Sequence, residues 1–295
     1  MTTRKDRLDA WAMAAMVGLS AVWGFNQVAA KVANAGISPL MQAGLRSAGA
    51  AVLLLAWSLA RGTPLFRRDG TLVAGLAAGL LFAGEFAFLY AGLQYTTASR
   101  AVVFFYTAPF VVAVGMHLLV PSERLGRNQV VGLLAAFVGI VAAFGETLTL
   151  PSGTQWIGDL LMLAAAALWG GTTVLVRAPS LSHIAADKTL FYQLVVSGVA
   201  LPIASPLIGE PGFTDPTAVA WASLAWQTVG VAFASYLAWF HLVARYPATR
   251  LSAFSFLAPL FGMMFGAVLL GERITPGLGL AMVLVAVGIR LVNRR

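Results

Sequence analysis

The chain has 295 residues, 59% of them hydrophobic and only 10% charged. Water-soluble domains carry roughly 25% charged residues, so a chain this poor in charge could not cover a folded surface in water. Its formal charge of +8 would suggest nucleic acid in a soluble domain, but here it reads as basic loops on one side of a membrane, with the lipid bilayer rather than a nucleic acid as partner.

Apolar runs near the ~20 residues that cross a bilayer recur from end to end. The first, residues 11–33, follows "MTTRKDRLDA" and is too long for the core of a typical signal peptide, so it reads as an uncleaved first span. Breaks at Gly, Pro and charged clusters place the others at 39–59, 72–93, 100–120, 128–145, 156–176, 188–207, 218–242, 249–269 and 277–292. The expected fold is an all-α integral membrane protein of ten transmembrane helices with short loops. The absence of Cys excludes disulfides and thiolate metal sites.

Ten spans put both termini on one side. With the N-terminus taken as cytoplasmic, the inner face receives Arg4, Lys5, Arg7, Arg61, Arg67, Arg68, Arg124, Arg127, Arg177, Lys188, Arg245, Arg250, Arg290, Arg294 and Arg295. The outer half receives only Lys31, Arg46, Arg100 and Arg273. A missed or invented helix would invert this bias downstream of the error, and it does not invert.

The chain also repeats itself. "AVWGFNQVAAK" (21–31) is echoed by "ALWGGTTVLVR" (167–177), with Trp23 on Trp169 and Lys31 on Arg177. "YTTASRAVVFFYTAPF" (95–110) is echoed by "YPATRLSAFSFLAPL" (246–260), with Arg100 on Arg250 and Pro109 on Pro259. "SERLGRNQVVGLLAAFVGI" (122–140) is echoed by "GERITPGLGLAMVLVAVGI" (271–289), with Glu123 on Glu272. The chain therefore divides into residues 1–147 and 148–295, each with five spans. An odd number makes the second copy enter the membrane from the opposite side, so the repeats are inverted, as in many secondary transporters.

These phrases, with "LRSAGAAVLLL", "YTAPF" and "PSERLGRNQVVG", resemble the EamA domain of the drug/metabolite transporter superfamily. That pattern has Trp-Gly in the first helix, Arg in the second, Pro in the fourth and a Glu-Arg turn before the fifth. The chain is also similar to the YddG-type aromatic amino acid exporters. The resemblance covers nearly the whole chain. It implies a ten-helix exporter of amino acids and other small metabolites in a bacterial inner membrane, with no cofactor. One departure stands out: the second-half counterpart of Arg46 is Gln193.

Two charges lie deep in the spans. Arg46 sits roughly 10 Å from the outer end of the second span and Glu85 roughly 12 Å from the outer end of the third, at 1.5 Å per residue. Opposite charges at one depth suggest an interhelical ion pair, since either alone would cost about 2.5–3.5 kcal/mol or more near the bilayer centre. Carboxylate binding by Arg46 is the functional alternative, and proton coupling through Glu85 another. Polar and aromatic residues crowd the same level, and in lipid they favour the bundle interior. A substrate pocket is therefore expected between the halves, walled by Trp23, Asn26, Tyr90, Tyr106, Trp169, Thr173, Tyr236 and Trp239. Spans one, three, four, six, eight and nine should surround it, while the more aliphatic spans five and ten lie outside and join the halves. Pro109 and Pro259 mark equivalent kinks and possible hinges.

No phosphate-binding loop, His-acid cluster or nucleophile-base set is present, and the three His show no metal-binding spacing. The expected activity is export of small metabolites, amino acids including aromatic ones, by alternating access, with a monomer favoured. An intramembrane enzyme or lipid-handling protein would need a pair of central acids or His with acid, and only Glu85 is central. A channel is the remaining alternative.

Overall fold

The computed structural model describes residues 5–120, 123–145 and 150–294. The division between 147 and 148, and the charges of Arg4 and Arg295, fall outside them. Helices α1 (Ala10–Ala33), α2 (Pro39–Ala60) and α3 (Leu72–Leu93) are continuous spans. The fourth span is split into α4 (Ala98–Phe105) and α5 (Ala108–Leu119), and the fifth is α6 (Arg127–Phe144). In the second half, α7 (Gln155–Arg177) and α8 (Ala186–Leu207) are continuous. The eighth span joins α9 (Ala218–Trp226) to α10 (Tyr236–Arg245) through a π-helix. The ninth joins α11 (Ala248–Ser252) to α12 (Leu257–Leu270) through a 3-10 turn, and α13 (Leu278–Asn293) is the tenth. Among the described residues, nine spans are long and apolar enough to cross a bilayer and α13 is a shorter apolar helix.

Hydrogen bonds between loops sort the helix ends into two faces. On the face that carries both termini, the Lys5 N–H donates to the Arg245 carbonyl at 2.8 Å, and Lys188 Nζ donates to the Arg67 carbonyl at 2.7 Å. On the opposite face, the Ser38 N–H donates to the Gly212 carbonyl at 2.8 Å, Thr96 Oγ1 to Asp159 Oδ1 at 2.9 Å, and Thr275 Oγ1 to the Ala143 carbonyl at 2.8 Å. Thus α1 starts from the termini face and α7, the first helix of the second half, from the opposite one.

Local chemistry sets several boundaries. Asp9 caps α1, its Oδ1 accepting the Ala12 N–H at 2.8 Å. Thr97 and Thr217 cap α4 and α9 in the same way. A side-chain oxygen at such a position satisfies a donor that the first turn leaves free. Pro109 and Pro259 each lie in the first turn of a helix, in α5 and α12, just after an interruption. There the missing N–H costs nothing and the fixed φ suits the helix start. The expected single spans four and nine are therefore each two helices in sequence.

The eighth span differs from its expected regular helix. Residues Gln227–Ser235 form a π-helix, a winding that adds residues per turn and is frequent at functional sites. The whole span, Ala218–Arg245, runs 28 residues.

Spans five and ten pack along each other, α6 on α13. Gly132 and Gly288 allow the approach: a Cβ on Gly288 would lie 2.5 Å from the Gly132 carbonyl oxygen, and one on Gly132 would lie 2.6 Å from the Gly288 carbonyl oxygen. Small residues that bring backbones together are the usual glue of helices in lipid, where hydrophobicity alone provides no drive to associate. Elsewhere α2 lies antiparallel along α8, α3 packs on α7 and α8, and α1 on α12, so the halves interlock.

Candidate functional site

Between the halves lies a cavity of about 490 Å³, within the roughly 300–1,000 Å³ common for small-molecule sites. Its walls come from α1, α3, α4, α7, the π-helix and α10, with single residues from α2 (Arg46), α8 (Gln193) and the 3-10 turn (Ser255). Helices α6 and α13 contribute nothing to it.

All eight residues expected in a pocket lie on this cavity, as do Arg46 and Glu85. Trp23 donates from Nε1 to Ser235 Oγ at 3.0 Å and meets the Trp239 ring edge-on at 5.7 Å. Trp169 stacks on Phe105 at 5.4 Å and stands edge-on to Tyr106 at 6.3 Å. Tyr106 sits where α4 ends, so the break before Pro109 turns its ring into the cavity. Tyr236 meets Phe82 edge-on at 5.8 Å, and Tyr90 lies beside Phe86 at 6.3 Å. Thr173 donates to the Trp169 carbonyl at 3.2 Å; its hydroxyl proton is thereby used and its oxygen remains as an acceptor. Asn26 Oδ1 is buried with no partner.

The expected ion pair between Arg46 and Glu85 is not a direct one. Both are buried, at 2% and 6% exposure, yet among the described residues neither makes a hydrogen bond or a salt bridge. The Arg46 guanidinium instead lies over the Phe86 ring at 4.7 Å, a contact that retains attraction for a cation without neutralising it. Arg46 Nε and both amide atoms of Gln193 are buried and unpartnered. Sequence reasoning named Gln193 only as the counterpart of Arg46, and the repeat alignment was the signal that could have placed it on the cavity. Phe86 and Phe105 carried no signal apart from their neighbours.

The described lining is exposed toward one face and buried toward the other. Lys31, Asn34, Leu93 and Ala98, on the face away from the termini, are exposed, whereas Val176, Phe240 and Val243 at the other end are buried. Beyond that buried end, Arg177 pairs with Glu123, their side chains only 4% and 5% exposed. Arg177 Nη1 also donates to the Val243 carbonyl at 2.8 Å, and Glu123 accepts the Ala248 N–H at 2.8 Å. At the mouth, the equivalent residues of the repeats, Lys31 and Glu272, also pair, but at 65% and 41% exposure. Each pair joins the first half to the second. A third cross-half pair, Arg100 with Asp159, is buried on the mouth side, where Arg100 Nε donates to Asp159 Oδ1 at 3.1 Å.

The termini face carries two more clusters outside the membrane spans. Asp9 accepts from Lys5 Nζ at 2.5 Å and from the Tyr246 hydroxyl at 2.8 Å. The Lys5 contact, with the Ala12 N–H and Tyr246, holds its carboxyl down at about 2. Lys188 donates to Asp69 Oδ2 at 2.8 Å, and this contact, with the Thr71 hydroxyl, holds the Asp69 carboxyl well below the usual range.

Comparison with known proteins agrees with this architecture. The EamA-like transporter family matches twice, over residues 10–145 and 156–294. The chain belongs to that family. An uncharacterized transporter, YoaV, of Bacillus subtilis is 25% identical over 94% of each chain. A probable amino-acid metabolite efflux pump of Salmonella typhimurium is 29% identical over 86% of this chain and 85% of its own. An S-adenosylmethionine/S-adenosylhomocysteine transporter of Chlamydia muridarum is 26% identical over 92% of this chain and 88% of its own. A protein of known crystal structure shares the fold with a TM-score of 0.82, at 20% identity over 96% of both chains. This EamA-like chain is a transporter rather than an enzyme.

Proposed function

We propose that the protein exports small metabolites, amino acids and aromatic ones among them, across a bacterial inner membrane by alternating access between two inverted five-helix repeats. The observation that carries this reading is the cavity's one-sided exposure: Lys31 and Asn34 of its lining are exposed toward one face, while Val176 and Val243 toward the other are buried, with a dry ion pair between the repeats beyond them. A channel would need a path open at both ends, which makes a carrier the better match.

The termini face bears most of the Lys and Arg, which supports a cytoplasmic placement of both termini and an outward-facing cavity. Trp23, Asn26, Tyr90, Tyr106, Trp169, Thr173, Tyr236 and Trp239 are the proposed substrate wall, and the breaks before Pro109 and Pro259 the proposed hinges. The Salmonella relative's description as an amino-acid metabolite efflux pump supports the substrate class. The test is uptake into liposomes that hold the purified protein, offered a panel of radiolabelled amino acids. Saturable uptake of several, with aromatic ones among them, is expected; uptake of none overturns the reading.

A further inference from the structure

We propose that Arg46 and Glu85 together read the two ends of a zwitterion, so that the cavity selects α-amino acids over their carboxylate-only or amine-only halves. This deepens the transport reading and rests on it. The helix register brings the two charges to one level. α2 runs antiparallel to α8 with Gly44 against Pro202 and Gly198 against Ala48, which sets Arg46 beside Ala200 in height. α3 runs parallel to α8 with Gly75 against Tyr192 and Gly79 against Val196, which sets Glu85 beside Pro202. Two residues along a helix are roughly 3 Å at 1.5 Å per residue.

A cation and a carboxylate thus face one cavity at one depth, both nearly dry and, among the described residues, neither hydrogen-bonded nor salt-bridged, with the Phe86 ring under the guanidinium. Each uncompensated buried charge is worth several kcal/mol of desolvation, so a ligand that answers only one leaves the other as costly as before. An α-amino acid answers both, because its carboxylate and ammonium are separated by a single carbon. The planar guanidinium fork suits the carboxylate, and the Glu85 carboxylate suits the ammonium. Phe82, Phe86, Tyr90 and Tyr236 flank this level and offer their ring faces and edges to the substrate's own side chain. Gln193, the neutral counterpart of Arg46, lies seven residues further along α8 toward the termini face, too deep to share the same carboxylate. The headgroup seat is therefore on the mouth side of the cavity alone.

The experiment offers proteoliposomes two zwitterions and their halves: phenylalanine with 3-phenylpropionate and phenethylamine, and leucine with 4-methylpentanoate and isopentylamine. Wild-type protein is expected to take up each amino acid about tenfold faster or more than either half, because a site built around buried polar groups rejects a ligand that leaves one unanswered. Glu85→Gln should slow the amino acids and narrow their lead over the carboxylates, and Arg46→Gln should narrow their lead over the amines. Quenching of the cavity tryptophans in detergent gives the same ranking for binding, apart from transport. Should either variant fail to fold, Arg46→Lys, Glu85→Asp and the wild-type series still decide. Equal uptake of amino acids and both halves overturns the zwitterion proposal and leaves transport standing. Uptake of no amino acid removes the transport reading itself.

Discussion

Removing the charge of Glu123 should tip the protein from a cavity open on the mouth side to one open toward the termini. Glu123 and Arg177 are at 5% and 4% side-chain exposure, and deleting one partner of a buried pair costs about 3–5 kcal/mol because the other charge stays dry and alone. Glu272, its counterpart in the other repeat, pairs with Lys31 at 41% and 65% exposure, where such a pair is worth about 0–1 kcal/mol. At 1.4 kcal/mol per decade, Glu123→Gln should shift the balance of states by roughly 10²-fold or more toward the termini-open one, whereas Glu272→Gln costs the mouth-open state less than about fivefold and should not open the termini end. The chain has no Cys, so single cysteines can report on each end. One at Ala98 watches the mouth and one at Val243 the buried end, each probed with a membrane-impermeant maleimide from its own side. Glu123→Gln should raise labelling at Val243 and lower it at Ala98 together. Glu123 also accepts the Ala248 N–H, so local fraying could expose Val243 alone; only the reciprocal change supports the latch. A rise in Val243 labelling from Glu272→Gln equal to that from Glu123→Gln, or no shift in a folded Glu123→Gln variant, would refute it.

Trp169→Ala removes a ring stacked on Phe105 and edge-on to Tyr106; uptake of phenylalanine should fall more than that of leucine, since such pairs are worth about 0.5–1.5 kcal/mol beyond area. Gly288→Val should lower folded yield and melting temperature by pushing α13 off α6, whereas Gly279→Val, where a Cβ meets nothing within 4 Å, should change neither. Thermal stability should be level from neutral pH to about 5 and fall as pH drops from about 4 toward 2. Asp9 and Asp69 have carboxyls held below their ordinary value of 3.8, so their stabilisation is present above that value and is lost as they protonate. Asp9→Asn should flatten that fall in a melting curve followed by tryptophan fluorescence, and an unchanged pH profile would contradict the assignment.

The spans were legible because lipid imposes a long, continuous apolar stretch on each, and their ends in the structure fall within a few residues of the expected ones. The wall residues were legible for a related reason: Asn26, Thr173 and the polar-tipped aromatics are costly against lipid and so must face inward. What lay beyond the sequence was winding and partner choice. Nothing in "QTVGVAFAS" marks a π-helix; such a winding is set by tertiary packing, here with α1 and α2 against it. The burial of Arg100 against Asp159 was equally hidden, since an Arg near a span end reads as a solvated face until the neighbouring half covers it. Equal depth made Arg46 and Glu85 look like an ion pair, but depth does not fix the angle around each helix. The structure turns both toward the cavity and places Phe86 under the guanidinium.

The duplicated phrases acquire a physical meaning in the two latches. Lys31 with Glu272, and Arg177 with Glu123, are the same pair written once in each direction, yet one is wet and the other dry. Residues of the same type at equivalent positions cannot differ so much through their own propensities, so the difference lies in how far each end of the bundle is closed. In the alternating-access reading, the opposite state would dry the Lys31 pair and wet the Arg177 pair. The cost of parting one is then largely offset by the burial of the other, and the exchange needs no large external input. A ligand then moves such an equilibrium only by its differential affinity for the two states. The remaining asymmetry is Arg against Lys. A planar, weakly hydrated guanidinium is the better partner for a dry carboxylate than a strongly hydrated ammonium, so the state with the Arg177 pair buried should be the more stable one at rest. Replacing Arg177 with Lys and Lys31 with Arg should reverse that preference in the maleimide assay, and a resting state unchanged by the exchange would show that the latches do not set it.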